Sequence, residues 1–200
     1  MSCSALSEED LLANERSVVV ITQSGYVKRM PLEEYNAQAR GSKGKASTKL
    51  ATDEDMVSHF FSCNDHDAIL FITNRGIAYN IKAYQIPTGS RYARGVPLPQ
   101  ILPIGSGDTV TSVIPIDSFE KENFLVLLTK EGLIKRTPLK AFESVSARGL
   151  VIISLKESDS LRWVRRCVSD EEIIIATRDG YASRFKAADV IATGRNSIGM

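Results

Sequence analysis

Covalent and metal chemistry have little to draw on here: among 200 residues there are three cysteines, two histidines and one tryptophan. Cys3, Cys63 and Cys167 are odd in number, far apart and in no CxxC pair. That excludes a disulfide framework and a zinc site, and a reducing compartment is the simplest reading. No apolar run reaches the ~18 residues of a membrane helix, and the acidic, arginine-poor start has the character of neither a secretory signal nor a transit peptide. The GxxxxGK[ST] spacing of a nucleotide-binding loop is absent. His59 and His66 stand outside any nucleophile or metal-ligand constellation, and the clusters Asp53-Glu54-Asp55 and Asp170-Glu171-Glu172 read as turn residues. Net charge is also missing: 25 Lys+Arg against 24 Asp+Glu leave +1. Taken as a total, that speaks against a nucleic-acid-binding domain.

What is present is repetition. Four segments share one grammar, in which an apolar run is followed by Thr, two residues and Gly, and then by a shorter alternating run. The runs are 18–21, 69–72, 124–128 and 173–176, and they lead to Gly25, Gly76, Gly132 and Gly180, which lie 51, 56 and 48 residues apart. Seven residues beyond each glycine stand Leu32, Ala83, Leu139 and Ala187; ten beyond stand Tyr35, Ile86, Phe142 and Val190. Apolar residues three apart suit a short helical turn on a sheet edge. Each repeat then reaches an arginine in a glycine-containing loop: Arg40-Gly41, Arg94-Gly95, Arg148-Gly149, and Arg195 followed by Gly199. Two more strand-like stretches follow in the first three repeats. The expected unit is about four strands in roughly 50 residues, with the glycine at the positive-φ position of a hairpin turn. Strands so short must stack against neighbouring units, as blades do. The expectation is an all-β, propeller-like chain: a segment 1–17, then repeats over 18–66, 67–118 and 119–169 and a truncated fourth over 170–200. WD40 repeats fit poorly, since Trp163 is followed by Val164.

The repeat shows where the charge has gone. Windows 25–49, 76–100, 132–156 and 180–200, each running from the turn glycine through the arginine loop, hold 17 basic and 4 acidic residues, a charge of +13. The rest of the chain holds 8 basic and 20 acidic residues, a charge of −12. The expected basic stripe comprises Lys28, Arg29, Lys82, Arg91, Arg94, Lys135, Arg136, Lys140, Arg148, Arg184, Lys186 and Arg195. Cations at regular intervals match a phosphodiester backbone, where affinity comes from counterion release. No recognition helix, zinc finger or basic zipper is present, so binding indifferent to base sequence is expected. An acidic protein partner on a propeller-type scaffold is the main competitor.

One segment is more specific. Gln38-Ala39-Arg40-Gly41-Ser42-Lys43-Gly44-Lys45 packs three cations and two glycines into eight residues, a composition suited to clamping phosphate. Together with the run Gly-Tyr-Val-Lys-Arg-Met-Pro-Leu-Glu-Glu-Tyr from Gly25 to Tyr35, it resembles the C-terminal domain of DNA gyrase A, whose box motif reads Gln-Arg-Arg-Gly-Gly-Lys-Gly. Gln38, Arg40, Gly41, Lys43 and Gly44 match the box, with Lys45 just beyond it; Ala39 and Ser42 depart from it. Ala93-Arg94-Gly95 and Gly194-Arg195-Asn196 look like later blades, so the resemblance runs from about Leu11 to the end.

The resemblance implies a β-pinwheel, six blades in the family, whose basic rim wraps duplex DNA in one hand. The rest of the holoenzyme can then introduce negative supercoils. It implies no cofactor in this chain, ATP on gyrase B, Mg2+ in the holoenzyme, and partnership with gyrase B and the remainder of gyrase A in an A2B2 assembly, without a membrane. The cleaving tyrosine belongs to an N-terminal domain, and Arg91-Tyr92 is not read as a substitute, so no catalytic residue is expected here. A bacterial, nucleoid-associated cytoplasmic setting is the default and a plant chloroplast or mitochondrion the alternative. The topoisomerase IV counterpart of gyrase A has a related pinwheel with a degraded box; the better-kept box here favours gyrase.

Overall fold

A computed structural model describes residues 8–36, 55–120 and 122–200 of the chain. The box segment 38–45 lies outside these residues. The first strands are β1 (Arg16–Thr22), β2 (Tyr26–Pro31) and, after a one-turn helix α1 (Leu32–Asn36), β3 (Val57–Asn64). They are followed by β4 (Ala68–Thr73), β5 (Ile77–Lys82), β6 (Val96–Pro97) and β7 (Val110–Ile116). Next come β8 (Phe124–Thr129), β9 (Ile134–Pro138), β10 (Leu150–Val151) and β11 (Leu161–Cys167), and last β12 (Glu172–Ala176) and β13 (Ala182–Lys186).

The Thr-x-x-Gly grammar is a hairpin turn with a double lock. The turn glycine N–H donates to the threonine carbonyl in all four repeats, at 3.0 Å for Gly25 and Gly76 and 3.1 Å for Gly132 and Gly180. The next residue's N–H donates to the same threonine's Oγ1: Tyr26 to Thr22, Ile77 to Thr73, Leu133 to Thr129 and Tyr181 to Thr177, at 3.1–3.4 Å. Serine could offer the hydroxyl, but the β-branch of threonine also favours the strand it ends. The glycines hold φ between +73° and +89°, a region that other L-residues rarely enter. Beyond each second strand the apolar pair seven and ten residues on forms a helical turn against its sheet. Ala83, Ile86, Leu139, Phe142 and Ala187 are completely buried there, while Leu32 and Tyr35 pack beside Val18, Val20 and Met30.

The four-stranded unit is not self-contained, as the repeat pattern had suggested; its fourth strand comes from the next repeat. β6 follows the second repeat's arginine loop, yet it pairs with β2 of the first (Val27 with Val96, Tyr26 with Pro97), completing the order β3-β1-β2-β6. β10, from the third repeat, pairs with β5 of the second (Ile77 with Val151, Ala78 with Leu150), giving β10-β5-β4-β7. In the sheet β11-β8-β9 the equivalent place is taken by Met200, which exchanges two 2.9 Å hydrogen bonds with Ile134. β12 and β13 pair with each other. Alternation along the chain cannot show which sheet a two-residue strand joins, because register within a repeat is compatible with either.

Contacts divide the chain into two compact units, Met1–Ile69 with Ile81–Ile104, and Leu70–Asn80 with Gly105–Met200. The first holds the sheet containing β1 around Val18, Val19, Ile21, Val27 and Met30; the second is cored on residues such as Phe71, Ile72, Leu125, Leu127 and Phe142.

Candidate nucleic-acid interface

The expected stripe separates into inward and outward cations. Lys28 and Lys135, both three residues past a turn glycine, are only 3% and 1% exposed. The Lys28 ammonium donates to the carbonyls of Arg91 and Ala93 at 2.8 Å each and, more distantly, to Ser90 at 3.5 Å. The Lys135 ammonium donates to the carbonyls of Arg195 (2.8 Å), Gly194 (2.9 Å), Ile152 (3.0 Å) and Ser197 (3.3 Å). Burial pulls both below the usual lysine range, Lys135 to about 8. Neither is a surface contact as the charge map had placed it: an ammonium whose protons are all given to carbonyls has none left for a phosphate.

The next position is also spent on the fold in two repeats. Arg29 pairs with Asp65 at 2.6 Å, Asp65 accepts a further 2.7 Å bond from the Ser17 hydroxyl, and Arg29 also reaches the Ile86 carbonyl and Thr88. Arg136 is 8% exposed, stacks over the Phe124 ring at 4.3 Å and donates to Ser169. Three further cations have acidic partners nearby: Lys82 with Glu9, Lys140 with Glu120, and Arg184 with Glu172. The last two pairs are largely exposed, a setting in which ion pairs contribute under ~1 kcal/mol and open readily.

The arginine loops add further cations at or near the surface. Arg94 is exposed with its guanidinium 4.7 Å from the centre of the Tyr26 ring, and half-buried Arg91 lies 5.7 Å from that of Tyr35. Arg148 and Lys186 are exposed, and half-buried Arg195 donates to Ser144 Oγ at 3.2 Å. Counted back from Gly95 and Gly199, Arg91 and Arg195 occupy the same place, four residues before the glycine. The sequence had matched Arg195 to Arg94; the shared glycine register and carbonyl pattern correct that. A side chain cannot replace the loop glycine, since a Cβ on Gly95 would lie 2.6 Å from the Val27 carbonyl oxygen and one on Gly199 2.8 Å from that of Ile134. Both have φ in the positive region, +87° and +100°.

Tyr26 and Tyr35 went unread as platforms for arginine; their fixed offsets of one and ten residues past Gly25 were the available signal. The charge windows also excluded β11, where Arg162, Trp163 and Arg165 are exposed on an edge strand. No group of three or more His, Cys, Asp or Glu residues among the described residues could hold a metal ion. Cys63 and Cys167 are buried free thiols, the former pushed up to about 12 by burial and then by Asp67 and Asp65. No helix among the described residues is long and apolar enough to cross a membrane.

The family model for the DNA gyrase C-terminal domain, beta-propeller, matches residues 16–64, 67–117, 123–167 and 171–200. The chain belongs to this family. Among curated relatives, the DNA gyrase A protein of Synechocystis sp. is 44% identical over 197 residues, covering 98% of this chain and 23% of that protein. The chloroplastic/mitochondrial DNA gyrase A protein of Arabidopsis thaliana is 39% identical over 195 residues, 98% of this chain and 20% of that protein. The chain thus spans less than a quarter of the length of these relatives. Among solved structures, the C-terminal domain of DNA topoisomerase IV aligns with a TM-score of 0.78 at 27% identity, covering 94% of this chain and 57% of that one. The DNA gyrase A C-terminal domain aligns at 0.71, also at 27% identity, covering 93% and 59%. The nearly all-β propeller of the gyrase family is therefore the fold of this chain.

Proposed function

We propose that this chain is a DNA-wrapping module that holds duplex DNA along the arginine loops of successive repeats, as part of the A protein of a DNA gyrase. The observation that carries the reading is the recurrence of arginines at glycine-bounded loops, exposed Arg94 and Arg148 and half-buried Arg91 and Arg195, in a chain of the gyrase family. Residues 18–66, 67–118, 119–169 and 170–200 act as successive blades, with 1–17 leading into the first. Each loop offers a cation to a phosphate, and the box residues Gln38, Arg40, Gly41, Lys43, Gly44 and Lys45 add a further clamp. Bending a 20 to 30 base-pair site through 40–90° costs of order 1–6 kcal/mol, which several such contacts offset. The work of cleavage and strand passage lies with the rest of an A2B2 holoenzyme that uses ATP on gyrase B and Mg2+. The setting is a bacterial cytoplasm or, as the plant relatives suggest, a plant organelle.

The test is DNA binding by the chain at several salt concentrations, followed by ligation of nicked circular DNA in its presence. The association constant should fall with salt at a log-log slope of about −0.9 per phosphate neutralised, and the ligated circles should carry positive writhe. Salt-independent binding sinks the phosphate reading; binding without writhe sinks wrapping. A topoisomerase IV module is the second reading, favoured by the 0.78 TM-score to that enzyme's C-terminal domain.

A further inference from the structure

Lys28 and Lys135 share a geometry that the fold alone does not require. In both, the ammonium gathers the carbonyls of residues four and two before a loop glycine, Arg91 and Ala93 in one case, Arg195 and Ser197 in the other. The residue five before adds a third carbonyl each time, Ser90 at 3.5 Å and Gly194 at 2.9 Å. The second repeat has Tyr79 at the lysine position, and its partner loop is held otherwise. The Asn80 amide donates to the Val145 carbonyl at 3.2 Å, and a Cβ on Gly149 would lie 2.6 Å from the Tyr79 ring. Strand exchange therefore proceeds without the lysine, which frees its charge for another role.

A trans peptide holds its C=O and N–H on opposite sides, and no cis bond interrupts these loops. When the Arg91 carbonyl turns in to Lys28, the N–H group of Tyr92 turns away from it. By the same geometry the N–H groups of Asn196 and Ile198 turn away from Lys135. Outward N–H groups beside a guanidinium form a seat for an anion.

We infer that Lys28 and Lys135 are positioning residues for DNA, each using a buried ammonium to turn an arginine loop so that its backbone N–H groups and Arg91 or Arg195 face a phosphate. The inference rests on the DNA-binding reading. It explains why a lysine sits where burial is costly: removing the cation takes the donor from the Arg91 and Ala93 carbonyls at one loop and from the Arg195 and Ile152 carbonyls at the other. It also assigns the cations differently from a charge count, since Lys28 and Lys135 act on DNA without touching it.

The experiment compares Lys135→Met, Arg195→Ala and the double variant in the 200-residue chain, each measured for DNA association across salt concentrations. Amide hydrogen exchange of residues 194–198 is followed without DNA. Lys135→Met should lower the association constant about tenfold and reduce the salt slope by about one phosphate contact, and the double variant should bind no more weakly than Lys135→Met alone. Exchange at Asn196 and Ile198 should change at least tenfold. If Lys135→Met leaves exchange at these amides unchanged, or if the Arg195→Ala loss is undiminished in its background, the positioning role is overturned. Additive losses assign Lys135 a direct phosphate contact and also overturn it. Should the methionine variant fail to fold, Lys135→Gln, which keeps two N–H donors, carries the same comparison. A parent chain that does not bind DNA defeats the DNA reading, and the exchange measurement still decides whether the lysine orders the loop.

Discussion

At the scale of single residues, the same side-chain type does opposite jobs according to where its strand places it. Lys135 is buried under four carbonyls, while Lys186, on the last strand, is exposed. Burial draws Lys135 down to about 8 from the ordinary 10.5, whereas in the unfolded chain it keeps its proton to the ordinary value. Between those limits the unfolded state binds more protons than the folded one, so this residue's contribution to stability rises with pH from about 8 to about 10.5. Lys135→Met removes the contribution. Subtracting its unfolding free energy from that of the parent, measured by denaturant titration at each pH, should leave a difference that climbs through this window and is flat below it. A flat difference throughout would mean that the ammonium is solvated like any surface lysine.

At the scale of elements, the hairpin is the unit that repeats, and threonine is its fastener. Thr129 is 1% exposed, and its Oγ1 accepts the Leu133 N–H at 3.1 Å. Thr177 makes the equivalent bond to Tyr181 at 3.2 Å but in the open. Losing a hydroxyl that satisfies a buried donor costs about 1–3 kcal/mol, and losing one in water costs far less because solvent replaces it. Thr129→Val should therefore lower the unfolding free energy by about 1–2 kcal/mol and Thr177→Val by under about 0.5 kcal/mol in urea titrations. The hairpins, their turn glycines and the helical turns beyond them were legible in the sequence because each depends on residues within ten positions of one another. The strand exchange was not. β6 and β10 are two residues long, and their partners lie about 70 positions away in the chain, so no local period marks them.

At the scale of the whole molecule, charge divides between holding the fold and facing outward. Arg29, in its near-buried pair with Asp65, and Arg94, exposed beside Tyr26, were indistinguishable members of one basic stripe in the sequence. They should now behave in opposite ways. Arg29→Ala strands a carboxylate with little water and should cost about 3 kcal/mol of stability. Arg94→Ala should leave the melting curve nearly unmoved and weaken DNA association severalfold, with a shallower salt slope. Thermal unfolding and salt-dependent binding on both variants check the division. Equal losses of stability would return both arginines to the fold.

The sequence by itself determined the family, the period and the turn chemistry, since those reside in residue identity and short spacing: Thr-x-x-Gly, the apolar pair beyond it, and the arginine loop. Its near-zero net charge, too, was resolved by the repeat into basic loops and an acidic remainder. Only the tertiary structure decided which cations stay outside. A lysine three residues past a turn glycine alternates onto the inner face of its strand, and whether it meets solvent or a cage of carbonyls depends on a loop some 60 residues away. Alternation gives the direction of a side chain; the chain's return from a distance supplies what it meets.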